Sequence, residues 1–197
     1  MSATGRSGVR RKADRYVTPA WVTKALLDRV TLPQKIVDAG CGTLAISRVL
    51  VAAHFDVVGY ELPEYAPPSE PGVVVRPTNF LLTTESSFGG PQFSKYAVVM
   101  NPPYALAAEF IRRALQLVDR NQPVCALLRL NFLGSSRKRL DLVGPNSCLR
   151  RVLVFSRRPS FTGKGTDATE YAWFIWQEIL PYAPPPAWVP IHLEVIP

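Results

Sequence analysis

The sequence predicts an α/β fold: a mostly parallel, seven-stranded sheet with helices on both faces and an antiparallel last strand. Three observations predict it. Short apolar runs of strand length alternate with stretches of helical period along most of the chain. One run, Ile36-Val37-Asp38-Ala39, passes through Gly40 and Gly42 directly into a helical stretch, as a parallel strand feeding its crossover does. The last two runs are separated by the turn-rich Arg157–Thr169, which suits an antiparallel finish.

Each element has its own signal. Thr18 is placed to cap a first helix with Pro19 at its first position, and Val22, Ala25, Leu26 and Val30 then share one face. Lys35–Ala39, Phe55–Glu61, Tyr96–Asn101, Pro123–Asn131, Arg151–Phe155 and Tyr171–Glu178 are rich in Val, Ile, Leu and aromatics, as buried strands are, and Val73–Val75 adds a short edge strand. Ile46, Val49, Leu50 and Ala53 form a second helical stripe. The clearest stripe is Ala107, Phe110, Ile111, Ala114, Leu115 and Val118, with Glu109, Arg112, Arg113 and Gln116 turned outward. Gly134–Val143 reads as a short helix or a basic loop. Six of the 19 prolines fall between Pro63 and Pro91 and six between Pro181 and Pro197, which excludes regular helix in both stretches.

The 197 residues fit one domain with a real core, and the 47% apolar content excludes a wholly disordered chain. Residues 1–12 are expected to be a flexible basic arm, 13–180 the single domain and 181–197 a Pro-rich extended tail. Cys41, Cys125 and Cys148 contain no Cys-x-x-Cys pair, and His54 and His192 are the only histidines, so neither a metal site nor a disulfide framework is expected. No run reaches the ~18–20 apolar residues of a membrane span, and no secretory leader is visible, so a cytoplasmic, reducing compartment is expected. The net charge of +8 favours a polyanionic partner.

Glycines after a buried strand let a ligand lie against bare backbone at the strand's C-terminal edge. Gly40-x-Gly42 lacks the third glycine of a dinucleotide loop, so a pyrophosphate cofactor is not indicated. Glu61 ends the next strand, where a carboxylate can accept both hydroxyls of a ribose. The decisive string is Val98-Val99-Met100-Asn101-Pro102-Pro103-Tyr104. Two prolines after a strand stop the ladder, so Asn101 and the Pro102 carbonyl are presented rigidly, with the Tyr104 ring beside them.

On these residues the chain resembles the S-adenosylmethionine-dependent amino-methyltransferases, whose signature is Asn/Asp-Pro-Pro-Tyr/Phe/Trp. The resemblance implies a Rossmann-like methyltransferase fold with S-adenosylmethionine as cofactor. Tyr16-Val17-Thr18-Pro19 is similar to the segment that touches the cofactor's methionine end in the adenine-N6 branch; Asp38, Ala39, Gly40 and Gly42 match the cofactor loop and Glu61 the ribose-binding acid. Asn79-Phe80-Leu81 matches the stretch that reads the cofactor's adenine, with Asn79 where such enzymes usually carry Asp. The later segment, Arg158-Pro159-Ser160-Phe161 through Tyr171-Ala172-Trp173-Phe174, resembles small adenine methyltransferases of phages and prophages.

The implied chemistry accounts for the motif. If the Asn101 oxygen and the Pro102 carbonyl accept the two N–H groups of adenine N6, the nitrogen's lone pair is freed toward the methyl donor, and developing positive charge is stabilised. The base must be flipped or single-stranded, with Tyr104 stacked on one face and Phe161 expected on the other. Arg137, Lys138, Arg139, Arg157 and Arg158 are candidate phosphate contacts. The aromatics of Tyr171–Trp176 read as core. Cytosine-C5 transfer needs a cysteine that follows proline in that family, and here the cysteines follow Gly, Val and Ser. DNA adenine N6 is the expected acceptor. The alternatives are RNA adenine N6, a protein glutamine, whose branch carries an N-terminal helical domain that 34 residues before the first strand do not supply, and a silent nucleic-acid-binding module.

Overall fold

The computed structural model describes residues 17–84, 95–134, 137–161, 169–178 and 191–197; the basic arm and Tyr16 lie outside them. The strands are β1 (Lys35–Ala39), β2 (Asp56–Glu61), β3 (Val73–Pro77), β4 (Tyr96–Met100), β5 (Val124–Arg129), β6 (Leu149–Phe155), β7 (Tyr171–Trp176) and β8 (His192–Ile196). The helices are α1 (Ala20–Leu27), α2 (Ala45–Ala52), α3 (Ala107–Leu117) and the single turn α4 (Leu140–Val143), which follows a 3-10 turn at Arg137–Arg139.

They form one sheet in the order β3-β2-β1-β4-β5-β7-β6-β8, in which β7 runs antiparallel to both its neighbours and every other pair is parallel. The predicted α/β class and mostly parallel sheet are present. The expected seven strands are eight. The extra strand, β8, lies within 181–197, a stretch read as an extended tail, and pairs with β6. Proline density hid it: beyond Pro190 the run Ile191–Ile196 is free of proline, and its backbone can join the open edge of β6.

α1 and α2 cover one face of the sheet, where Val22, Leu26, Ile46 and Leu50 meet Trp173 and Ile175. α3 covers the other, where Phe110, Ile111 and Ala114 share a core with Phe174 and Trp176. β7 therefore feeds both cores, and all six of its residues are buried. Its two indoles keep their N–H groups satisfied: Trp173 donates to the Val22 carbonyl at 2.8 Å and Trp176 to the Leu142 carbonyl at 2.7 Å. Thr18 does not cap α1. Pro19 occupies the N-cap in extended conformation, without a side-chain cap, and the Thr18 hydroxyl is used elsewhere.

The Trp173 bond ties α1 to the middle of the sheet. Trp173→Phe should destabilise the fold by about 0.5–1.5 kcal/mol, the net worth of one hydrogen bond to a carbonyl that keeps its helical partner, and Trp173→Ala by about 3–5 kcal/mol, both read from urea unfolding. Equal losses in the two variants would show that the hydrogen bond and the removed ring volume do not contribute separately.

Candidate active site

β1 lies between β2 and β4, at the point where the order of strands reverses and open α/β sheets form a crevice. The turn after it is pinned by Gly40 and Cys41, whose N–H groups both donate to the Tyr60 carbonyl, at 2.8 and 3.0 Å. Gly40 and Gly42 have φ of +77° and +51°, and Leu44, the N-cap of α2, also sits in the left-handed region at φ 63°. That costs a non-glycine residue roughly 1–2 kcal/mol and sets the sharp start of the helix. A Cβ at Gly42 would meet nothing within 4 Å, because beside this turn opens a cavity of about 420 Å³.

The cavity gathers Thr18, Asp38, Gly40 and Gly42 from the first part of the chain and Glu61, Asn79, Phe80, Asn101 and Pro103 from later strand ends. Asp38 is 1% exposed; one carboxylate oxygen accepts from the Ser47 hydroxyl at 2.6 Å, and the other has no hydrogen-bond partner. Burial pushes its pKa up to about 7, the Ser47 bond opposes the rise, and the charge of Glu61 adds to it. Glu61 accepts from Gly42 N–H at 2.8 Å and from Leu62 N–H at 2.9 Å, one on each oxygen, which leaves each oxygen a lone pair for a further donor. The Asn79 side-chain oxygen accepts from Leu81 N–H at 3.0 Å and so caps the turn carrying Phe80. The Phe80 ring is 2% exposed, stacked on Phe110 at 5.5 Å.

Asn101 follows the end of β4, with its amide N–H donating to Thr18 Oγ1 at 3.0 Å. That bond occupies one end of the amide and leaves the carbonyl oxygen as the acceptor. Pro102 is buried, and Pro103 starts the 3-10 turn Tyr104–Leu106. Pro19, Ala39, Pro102 and Tyr104 do not line the cavity. The Tyr104 ring is not the open face expected: the Arg129 guanidinium sits over it at 5.0 Å and the Tyr171 ring lies 5.9 Å away.

Phe161 needs correction. It is 7% exposed and packs edge-on against Tyr171 at 4.9 Å, so it belongs to the core and is not a free wall facing a base. The polar loop around it concealed that β7 supplies apolar surface for it. Arg157 and Arg158 directly follow β6, which runs in β4's direction, so they stand at the edge of the sheet that holds Asn101; Arg137, Lys138 and Arg139 come later after β5, where Arg112 of α3 donates to the Lys138 carbonyl. Arg137 and Lys138 are exposed. Arg139 lies over the Phe132 ring at 4.7 Å, Arg157 over Trp21 at 4.0 Å, and Arg158 pairs with Glu170 at 2.6 Å.

Sequence reasoning missed several lining residues. Glu64 and Tyr65 lie in a proline-rich stretch readable only as non-helical, and Phe110 was legible only as part of the α3 core stripe. With Asp38, Glu61 and Glu64 the cavity holds three carboxylates, and no Lys or Arg lines it, among the described residues of a chain of net charge +8. Such a lining attracts a cation and repels a pyrophosphate. Cys41 also lines it, but burial and the neighbouring Asp38 and Glu61 push its thiol far up, and burial pushes Cys125 up to about 12, so both are poor nucleophiles. No cluster of three or more His, Cys, Asp or Glu among the described residues is arranged to hold a metal, and no helix among them is long and apolar enough to cross a membrane.

No protein-family model and no curated protein matches the chain. Solved structures do. A candidate hemolysin from Lactococcus lactis superposes with a TM-score of 0.61 at 12% identity, over 92% of this chain and 95% of that one. A predicted O-methyltransferase from Agrobacterium tumefaciens gives 0.56 at 16% identity, over 89% and 84%. A TehB-like SAM-dependent methyltransferase from Corynebacterium glutamicum gives 0.52 at 14%, over 80% and 86%. The chain has the Rossmann-like methyltransferase fold. At these identities the likeness concerns the path of the chain, and within the methyltransferase fold the side chains of the cavity carry the chemistry.

The raised pKa of Asp38 has a defined sign. A carboxyl whose folded pKa lies above its unfolded value of 3.8 is no burden at acid pH and becomes one as pH climbs toward about 7. Asp38→Asn should therefore gain melting temperature relative to the parent as pH rises from 5 to 8, measured by calorimetry without ligand. A difference flat across that range would show that Asp38 does not titrate there.

Proposed function

We propose that this chain transfers a methyl group from S-adenosylmethionine to the exocyclic N6 amine of adenine in DNA. One observation carries the reading: Asn101, its amide N–H held by Thr18 at the end of β4, stands at a cavity with three carboxylates and no basic lining residue. The residues present fit the cofactor. The unpartnered Asp38 oxygen and Glu64 suit its positive charge, the free lone pairs of Glu61 suit ribose hydroxyls, and the space beside Gly42 admits a ligand against the backbone. Phe80 and Asn79 suit its adenine. When bound, S-adenosylmethionine supplies a methyl group already activated on a sulfonium.

The rest falls to the chain. The Asn101 oxygen and the Pro102 carbonyl accept the two N–H groups of the target amine, which orients its lone pair and stabilises the positive charge that develops on nitrogen. With the cofactor bound, a nitrogen–carbon bond would form as the sulfur–carbon bond breaks, and the surplus proton would leave the nitrogen to solvent. The exposed Arg157 and Arg158 just beyond β6, at the edge that holds Asn101, support a nucleic-acid acceptor, since a phosphate backbone is drawn to exposed positive charge.

The direct test is incubation with methyl-tritiated cofactor and separate pools of duplex DNA, single-stranded DNA, RNA and protein, followed by identification of the modified group. Label in N6-methyladenine of DNA is the expected result. Label confined to protein, or absent from every pool, overturns the reading.

Asn101→Ala should lower transfer by ~10²–10³ while cofactor affinity stays within a few-fold by calorimetry. Thr18→Val should lower kcat by about tenfold through loss of one hydrogen bond, and Thr18→Ser should restore it. Full turnover in Thr18→Val would show that the Asn101 amide needs no such restraint.

A further inference from the structure

Arg129 ends β5 and is half-buried, and in the β5–β7 pair it lies opposite Tyr171. Among the described residues, its guanidinium lies over the Tyr104 ring at 5.0 Å, and its Nε donates to the Tyr171 hydroxyl at a long 3.4 Å. Behind Tyr171 stands Phe161, 4.9 Å from it, which backs this group of rings from the core. A planar cation thus already lies over the motif's tyrosine, on the face where the target base is expected.

We propose that the Arg129 guanidinium is the second wall of the acceptor pocket, the target base entering between it and the Tyr104 ring. The inference rests on the adenine-N6 reading of the same site. A flat guanidinium stacks on a base as it stacks on tyrosine, and adds attraction to the π-face. A base between two flat groups needs about 7 Å, two contact distances of ~3.5 Å. The arginine must therefore withdraw by about 2 Å from its 5.0 Å position. Its stem is flexible, and its bond to the Tyr171 hydroxyl is long and weak. Without a base, the guanidinium keeps water from the tyrosine face. A lysine in its place would keep the charge and lose the flat surface.

The test uses the full chain with S-adenosylmethionine and single-stranded oligo(dA), and compares Arg129→Lys and Arg129→Gln with the parent. Both variants should raise KM for oligo(dA) by about tenfold, the scale of losing one stacking partner, with cofactor affinity and melting temperature unchanged. The lysine variant should also keep the parent's dependence of KM on salt. Full recovery of KM in Arg129→Lys would mean a phosphate contact and not a stacking wall, and overturns the proposal. A fall in melting temperature at unchanged KM would make Arg129 a structural cover for Tyr104, with the same consequence. A parent that leaves oligo(dA) unlabelled overturns the adenine reading itself, and is told apart from the other results because no variant is needed to see it.

Discussion

β1 is paired in parallel along both edges, and its register leaves Asp38 opposite Gly59 on one side and Val99 on the other. A strand so placed is buried on both faces and can reach solvent only beyond its last residue. The chain must therefore turn away at that point, and it does so through two left-handed glycines into α2. The turn brings Gly42 N–H to Glu61, the last residue of β2, and the Ser47 hydroxyl back to Asp38. A buried carboxylate with one oxygen unpartnered is costly. Its position beside a ligand-sized cavity supplies a reason for the cost.

Charge is separated in space. The chain is strongly basic, yet the described basic side chains stay out of the cavity, where the carboxylates lie. Some of the outer arginines are engaged within the protein, by Glu170, by the Trp21 ring or by the Phe132 ring. The exposed Arg158–Glu170 ion pair is worth little to stability.

Most of the sheet was legible because its signals are local. The apolar runs of β1, β2, β4 and β5 and the three-and-four spacing of α3 depend on neighbours within a few residues. The glycine turn, Glu61 at a strand end and Asn101 before two prolines were readable for the same reason, and the structure gathers them round one cavity. β8 was not legible, since a five-residue strand in a proline-rich stretch has meaning only once the edge of β6 is there to receive it. Nor was the burial of Phe161, whose partner Tyr171 belongs to another strand.

By itself the sequence determined the kinds of element, their succession and the residue types at the strand ends, because backbone restriction and apolar period act along the chain. Only the tertiary structure decided which distant groups meet: Thr18 with Asn101 and not with its own helix, Trp173 with the carbonyl of Val22, and Arg129 over Tyr104. A hydrogen bond or a stacked cation is satisfied by whatever the fold brings within a few ångströms. A donor, an acceptor or a flat ring in the sequence does not specify its partner, and strand order and register do.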